Sequence, residues 1–325
     1  MTLRQLLRHA AGLDAEYGHN LASHLPMALS ALARLGATDA RQAAFAAHYA
    51  GRLRPAPPRE RWPAGEAWTS RLGEPRAWPA YRSLFSQWIR REGAPAVLEQ
   101  VLPTLLRGVG AAAFHGPIRA AYALAAGQPQ QLDDALAYWA CRWFALGSLS
   151  AVGREHDPAA ALAGLRMARP RRPLIAERMA IAAQHPAFGR VASELRIDRD
   201  HTLPQLAMRA ARLYAASENF TVLHLLTSAH AMRVLLPSLA EDDVVVALGH
   251  YWLAYVAGHA ASGLAERTTD GAMPRPSRPW PEIVSLAIAS NDDHVIKVVD
   301  SCREQERAYG GAVWREAASR AVAGA

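Results

Sequence analysis

The chain is almost without lysine. Of its 36 basic residues, 35 are arginine and one, Lys297, is lysine. Cysteine is nearly as scarce. Cys141 and Cys302 form no CxxC pair, so neither a disulfide framework nor a cysteine-rich metal site is implied. No apolar run of the roughly 18 residues needed to span a membrane stands out. Arg8 and His9 interrupt the start of the chain before a signal-peptide core could form, so the expected location is cytoplasmic, with no membrane partner. β-branched residues are few and do not alternate with polar ones, which argues against strands. No repeat of fixed length is present, which argues against a helical solenoid. GxGxxG, the P-loop, GxSxG and HExxH are all missing, so a bound dinucleotide, a P-loop phosphate site, a serine-hydrolase elbow and a zincin helix have no support.

What remains is a chain of 325 residues, 51% hydrophobic and 20% charged, long enough to build a sizeable core and too apolar to be disordered. The net charge of +7 invites a nucleic-acid partner, but the arginines are scattered. Their tightest cluster, Arg169-Pro170-Arg171-Arg172-Pro173, reads as a loop between helices, and no nucleic-acid partner is expected. Helical periodicity runs through most of the chain. Thr2 is placed to cap a first helix, Pro26 suits the first turn of the next, and Asp39 is placed to cap a third. Asp133 and Asp134 are expected to open a long helix. Further apolar periodicity covers 174–183, 203–216, 220–236, 243–264, 281–289 and 294–309. The expectation is an all-α fold: one compact domain over 1–325, of about a dozen helices. Two proline-rich stretches interrupt it, 54–78 and 268–279. The first holds Trp62, Trp68 and Trp78, which suits either a rigid wall or lid over an aromatic substrate or a packed surface loop.

With the usual motifs absent, the chemistry falls to the histidines and the lysine. If arginine serves at every other basic position, Lys297 marks a place where a residue able to lose its proton is wanted, or it is a chance survivor. His294 precedes it by three residues, about 60° away on a helical wheel. Thirteen histidines are many for such a chain. His24, His115 and His224 lie in or beside apolar helical runs. His230 follows His224 by six residues, about 120° round the helix, so the two need not face one centre. Any one of these fits a hydrogen-bonded core histidine. As a set they fit an imidazole-rich metal site.

Four short motifs, in order, carry a resemblance: Ser23-His24-Leu25-Pro26-Met27, Phe114-His115-Gly116-Pro117-Ile118-Arg119, Leu223-His224-Leu225-Leu226-Thr227-Ser228, and Asp292-Asp293-His294-Val295-Ile296-Lys297. Together they resemble the questin oxidase-like family, whose fungal members act on anthraquinones and related aromatic polyketides. The resemblance implies a mononuclear non-haem Fe2+ held by four histidines and a lysine carboxylated on its amine. Carried over, these are His24, His115, His224, His294 and Lys297. His230 does not match the third motif and is expected beside the site as a pocket or catalytic residue. Arg119 either holds a substrate phenolate or an oxygen-derived anion, or pairs with a carboxylate to brace the helix of His115. Asp292 and Asp293 either orient ligand imidazoles or cap the helix that carries His294. The expected activity is O2-dependent oxygenation of a small aromatic substrate. The alternatives are a Baeyer–Villiger-type monooxygenase with NADPH as external reductant, and a helical aromatic-binding protein without turnover.

Overall fold

The computed structural model describes residues 1–149, 153–165, 169–264 and 276–323. Sixteen α-helices lie among them, more than the dozen expected, because several are a turn or two long. They are α1 (Leu3–Ala10), α2 (Leu25–Leu35), α3 (Asp39–Ala50), α4 (Trp78–Glu92), α5 (Ala94–Leu105), α6 (Ala111–Ala125), α7 (Pro129–Cys141) and α8 (Pro158–Leu162). There follow α9 (Ile175–Ala183), α10 (Phe188–Ala192), α11 (Thr202–Ser217), α12 (Phe220–Leu235), α13 (Glu241–Ser262), α14 (Trp280–Ala289), α15 (Asp293–Tyr309) and α16 (Val313–Ala321). Strands are nearly absent, as the composition implies. The exception is a hairpin of two-residue strands, β1 (Glu16–Tyr17) and β2 (Leu21–Ala22), too short to leave an alternating pattern.

Helix starts follow the side chains that can satisfy the free N–H groups of a first turn. Thr2 and Gln5 form a capping box on α1. Thr38, not Asp39, caps α3, and Asp292 caps α15. Asp133 and Asp134 do not open a helix. They lie buried in the middle of α7, which starts at Pro129, and they are tied into ion pairs with arginines.

Buried apolar side chains form one continuous core from α1 to α16. At its centre α2, α6, α12 and α15 form a square, each packed on two of the others: α2 on α6, α6 on α12, α12 on α15 and α15 on α2. α13 lies outside this square against α12 and α9. It corrects one expectation, since it is long and apolar enough to cross a membrane by length and composition. The residues of its most apolar stretch are 83% buried among other helices, which is the environment such a helix needs in a core.

The stretch 54–78 is irregular but ordered by packing. Trp62 packs at a tilt on Tyr81 at 4.7 Å, and Trp68 meets Phe85 at 6.1 Å and Trp88 at 6.5 Å, all three partners on α4. Of the second proline-rich stretch, residues 268–275 lie outside the described residues.

Candidate metal centre

Each helix of the square carries one histidine at its N-terminal end. His24 is the N-cap of α2, His115 and His224 lie in the first turns of α6 and α12, and His294 is the second residue of α15. The four rings form a closed circuit. Their centroids are 4.6 Å apart for His24–His115, 5.1 Å for His115–His224, 5.8 Å for His224–His294 and 4.7 Å for His294–His24. His24, His115 and His224 are buried, and His294 is partly exposed.

The proton on each ring follows from its partner. The Nδ1 of His115 bonds the carbonyl of Ala112, and that of His224 the carbonyl of Phe220 at 2.8 Å. A carbonyl only accepts, so both Nδ1 atoms carry the hydrogen. The Nδ1 atoms of His24 and His294 both reach one oxygen of Asp293, at 2.7 and 2.8 Å. Burial opposes ionisation of that carboxyl, but His24 and the hydrogen bonds from His24 and His294 hold it well below the usual carboxylate range. It therefore accepts from both rings. All four imidazoles are left with a bare Nε2 lone pair. Burial, reinforced by neighbouring cationic groups, lowers the pKa of His24 to about 3 and those of His115 and His224 well below the ordinary value. These rings stay neutral, and the Nε2 atoms of His24 and His115 face each other at 2.6 Å. Two lone pairs at that distance repel unless a cation lies between or beside them. Tautomers fixed from behind by carbonyls and a carboxylate are what metal-ligating histidines use. The donor set thus fits a borderline metal ion. His24, Asp293 and His294 also offer donor atoms within 4.8 Å of one another, but the Asp293 oxygen is already engaged by two N–H groups.

Lys297 lies one turn after His294 and is buried, with its Nζ 2.8 Å from Nδ1 of His24. Burial pushes its pKa down to about 8, with Asp293 and Asp292 opposing. The one hydrogen on Nδ1 of His24 is given to Asp293, so Lys297 lies on the outer, Nδ1 side of that ring. Asp292 does the capping alone, accepting from the backbone N–H of His294 at 2.7 Å.

The turn that delivers His115 is strained. Ala112, Ala113 and Phe114 all have left-handed backbone, with φ of 47°, 57° and 69°. Each such non-glycine residue costs roughly 1–2 kcal/mol. The contortion brings the Ala112 carbonyl onto the His115 ring. Gly116, next along, lets α7 approach, since a Cβ there would lie 2.6 Å from the Trp139 ring.

Two expected site residues lie elsewhere. Arg119 does not line the histidine cavity. It is buried, donates to Asp134 at 2.6 Å and to the Ser23 carbonyl at 3.1 Å, and lies over the Tyr138 ring. These contacts tie α6 to α7 and to the segment entering His24, with Asp134 shared between Arg119 and Arg82. His230 also faces away. Six residues of helix turn it toward Arg34, 3.4 Å away, and the Tyr122 ring. It belongs to a second polar layer, described below.

The histidines floor a cleft of about 720 Å³, open to solvent on one side, with otherwise mainly apolar walls. These come from the hairpin (Tyr17, Leu21), the strained turn (Ala112, Ala113), the start of α9 (Leu174, Ile175), Tyr138 and Phe220. No tryptophan of the 54–78 stretch lines it. Phe220 is 55% exposed and lies edge-on to His224 and His294 at 5.0 and 4.8 Å, an uncommon placement for a large aromatic unless something covers it. Sequence reasoning missed Phe220 as a site residue, although its position one turn before His224 was a usable sign. The N-termini of α2, α9, α12 and α15 all open toward this cleft, a field that favours negative charge.

No match to a curated protein was found. A family model described as questin oxidase-like matches residues 19–302, a span that includes all four histidines, Asp293 and Lys297. The chain belongs to the questin oxidase-like family.

Proposed function

We propose that this protein is an Fe2+-dependent oxygenase of planar aromatic, polyketide-like phenols such as hydroxyanthraquinones. Membership of the family implies an oxidoreductase. The observation that carries the finer reading is the set of four neighbouring histidine rings whose Nδ1 atoms are all taken up from behind, leaving each Nε2 lone pair free. His24, His115, His224 and His294 would hold the ion, with Lys297 as fifth ligand through a carbamate on its amine. A carbamate is an anionic oxygen donor that forms only on a neutral, sheltered amine, and the burial of Lys297 shifts its amine toward that state. The bound ion would supply the redox chemistry that brings O2 to the ring.

The chain's own residues do the rest. Asp293 fixes the tautomers of His24 and His294. Phe220 and Tyr17 offer faces for a flat ring at the cleft mouth, and the apolar walls exclude water. The converging helix N-termini favour a substrate bound as its phenolate. Electrons for a monooxygenase outcome would come from a free reductant such as NADPH.

The test is elemental analysis of the purified protein, followed by O2 uptake with hydroxyanthraquinones, with and without NADPH. Changing His24, His115, His224 or His294 singly to Ala should strip the iron while the circular dichroism stays helical. Full iron occupancy in all four variants would remove the reading, and iron-loaded protein inert toward every such substrate would favour a binding protein.

A further inference from the structure

A second cleft, of about 640 Å³, shares a lining residue with the first. The proline-rich stretch, which the metal centre does not use, supplies part of its wall through Pro57 and Trp78. Tyr138 lines both clefts, the only described residue to do so. Beside it the first hairpin strand divides in the same way, with Glu16 on the second cleft and Tyr17 on the first. Tyr138 and the first hairpin strand are thus the walls that the two clefts have in common.

The Tyr138 side chain is held as a built partition. The Tyr138 hydroxyl donates to Glu16 at 3.1 Å, Glu16 is ion-paired to Arg142 on the same helical face, and the Arg119 guanidinium lies 5.2 Å over the ring. Arg119 is in turn pinned by Asp134 and the Ser23 carbonyl. A merely space-filling aromatic would not need its face and its hydroxyl engaged by two separately anchored groups.

We infer that the two clefts are halves of one channel, and that Tyr138 is the specificity-determining partition that limits how long a planar aromatic the histidine site admits. The inference rests on the aromatic-substrate reading above. A ligand of two or three fused rings fits the first cleft, and a fourth ring meets the Tyr138 phenol. Shortening that side chain lets the fourth ring pass toward Trp78.

The experiment is equilibrium binding, by fluorescence quenching, of hydroxynaphthoquinone, hydroxyanthraquinone and hydroxynaphthacenequinone, which have two, three and four rings. The probes are applied to the iron-loaded wild type and to Tyr138→Ala, Tyr138→Leu and Tyr138→Phe. Wild-type affinity is expected to rise from two rings to three and then fall about tenfold or more at four. Tyr138→Ala and Tyr138→Leu should abolish the fall, and Tyr138→Phe, which keeps the ring, should retain it. If Tyr138→Ala does not fold, Tyr138→Leu carries the comparison. A fall that persists in a folded Ala or Leu variant, or no fall in the wild type, overturns the partition. If no probe binds the wild type, the aromatic reading fails instead. A crystal structure of Tyr138→Leu then decides the partition by itself: one continuous channel supports it, and two closed clefts refute it.

Discussion

The square of helices holds two polar layers, and they differ in one respect. The upper layer is His24, His115, His224 and His294 with Asp293 and Lys297. The lower layer draws on the same four helices: Arg34 from α2, Tyr122 from α6, His230 from α12 and Asp300 from α15. Each lower residue lies six to ten positions further along its helix than the histidine above it, roughly 9–15 Å at 1.5 Å per residue. All four helices therefore run the same way, with their N-termini at the histidines. In the lower layer charge is closed on itself. Arg34 grips both oxygens of Asp300, and Tyr122 donates to the same carboxylate at 2.8 Å. Only His230 keeps a buried Nδ1 without a partner. In the upper layer every Nδ1 is taken up by a backbone carbonyl or by Asp293, and the Nε2 atoms of His24 and His115 meet at 2.6 Å. The ionic groups of the lower layer answer one another, whereas the proposed iron would answer the Nε2 lone pairs of the upper one. A parallel bundle aligns its helix dipoles at a cost, and an anionic ligand or substrate at the N-terminal end offsets part of it.

The largest effect should come from Lys297→Arg. Arginine replaces lysine everywhere else in the chain, so a surface role would make the change silent. In the upper layer it places a permanent charge beside a dication, a repulsion on the order of several kcal/mol in a dry site at about 4 Å. Loss of iron and of activity is expected. An iron-loaded, active Lys297→Arg protein, or a bare amine in well-resolved density at neutral pH, would end the case for the carbamate.

Next is Asp293→Asn, which removes the acceptor shared by two rings and should weaken iron binding by about 10–100-fold while leaving the helices intact. Unchanged affinity in a metal titration would show that the tautomers are set without it. Tyr122→Phe makes the matching cut in the lower layer. It should cost about 1.5–3 kcal/mol of stability, the usual worth of a hydrogen bond to a charged group, with iron content unaltered. Lost iron in that variant would collapse the distinction between the layers. The smallest effect is Ala113→Gly. Relief of the left-handed strain offsets the greater entropy of glycine in the unfolded chain, for a net gain of up to about 1 kcal/mol. A fall in melting temperature would mean that the turn is not strained.

The elements were legible where local physics decides them. Long helices such as α12 and α15 declare themselves through apolar periodicity, and the start of α15 through Asp292 as its cap. Short helices such as α8 and α10 carry too few turns to show a period. The lone lysine was visible from composition alone, and the four histidines from their motifs. Arg119 was open between two roles because a sequence shows a charge but not its partner. Asp134, fifteen residues away, is such a partner only after α6 and α7 pack.

The chain order by itself determined the all-α class, the course of the long helices and the caps at Thr2 and Asp292, because these depend on neighbours within a turn or two. Only the tertiary structure decided which ring nitrogen is hydrogen-bonded from behind, which arginine is ion-paired, and that Tyr138 and Phe220 wall the cleft. Those depend on contacts between segments as far apart as His24 and Asp293, 269 positions along the chain, and no local pattern carries information over that distance.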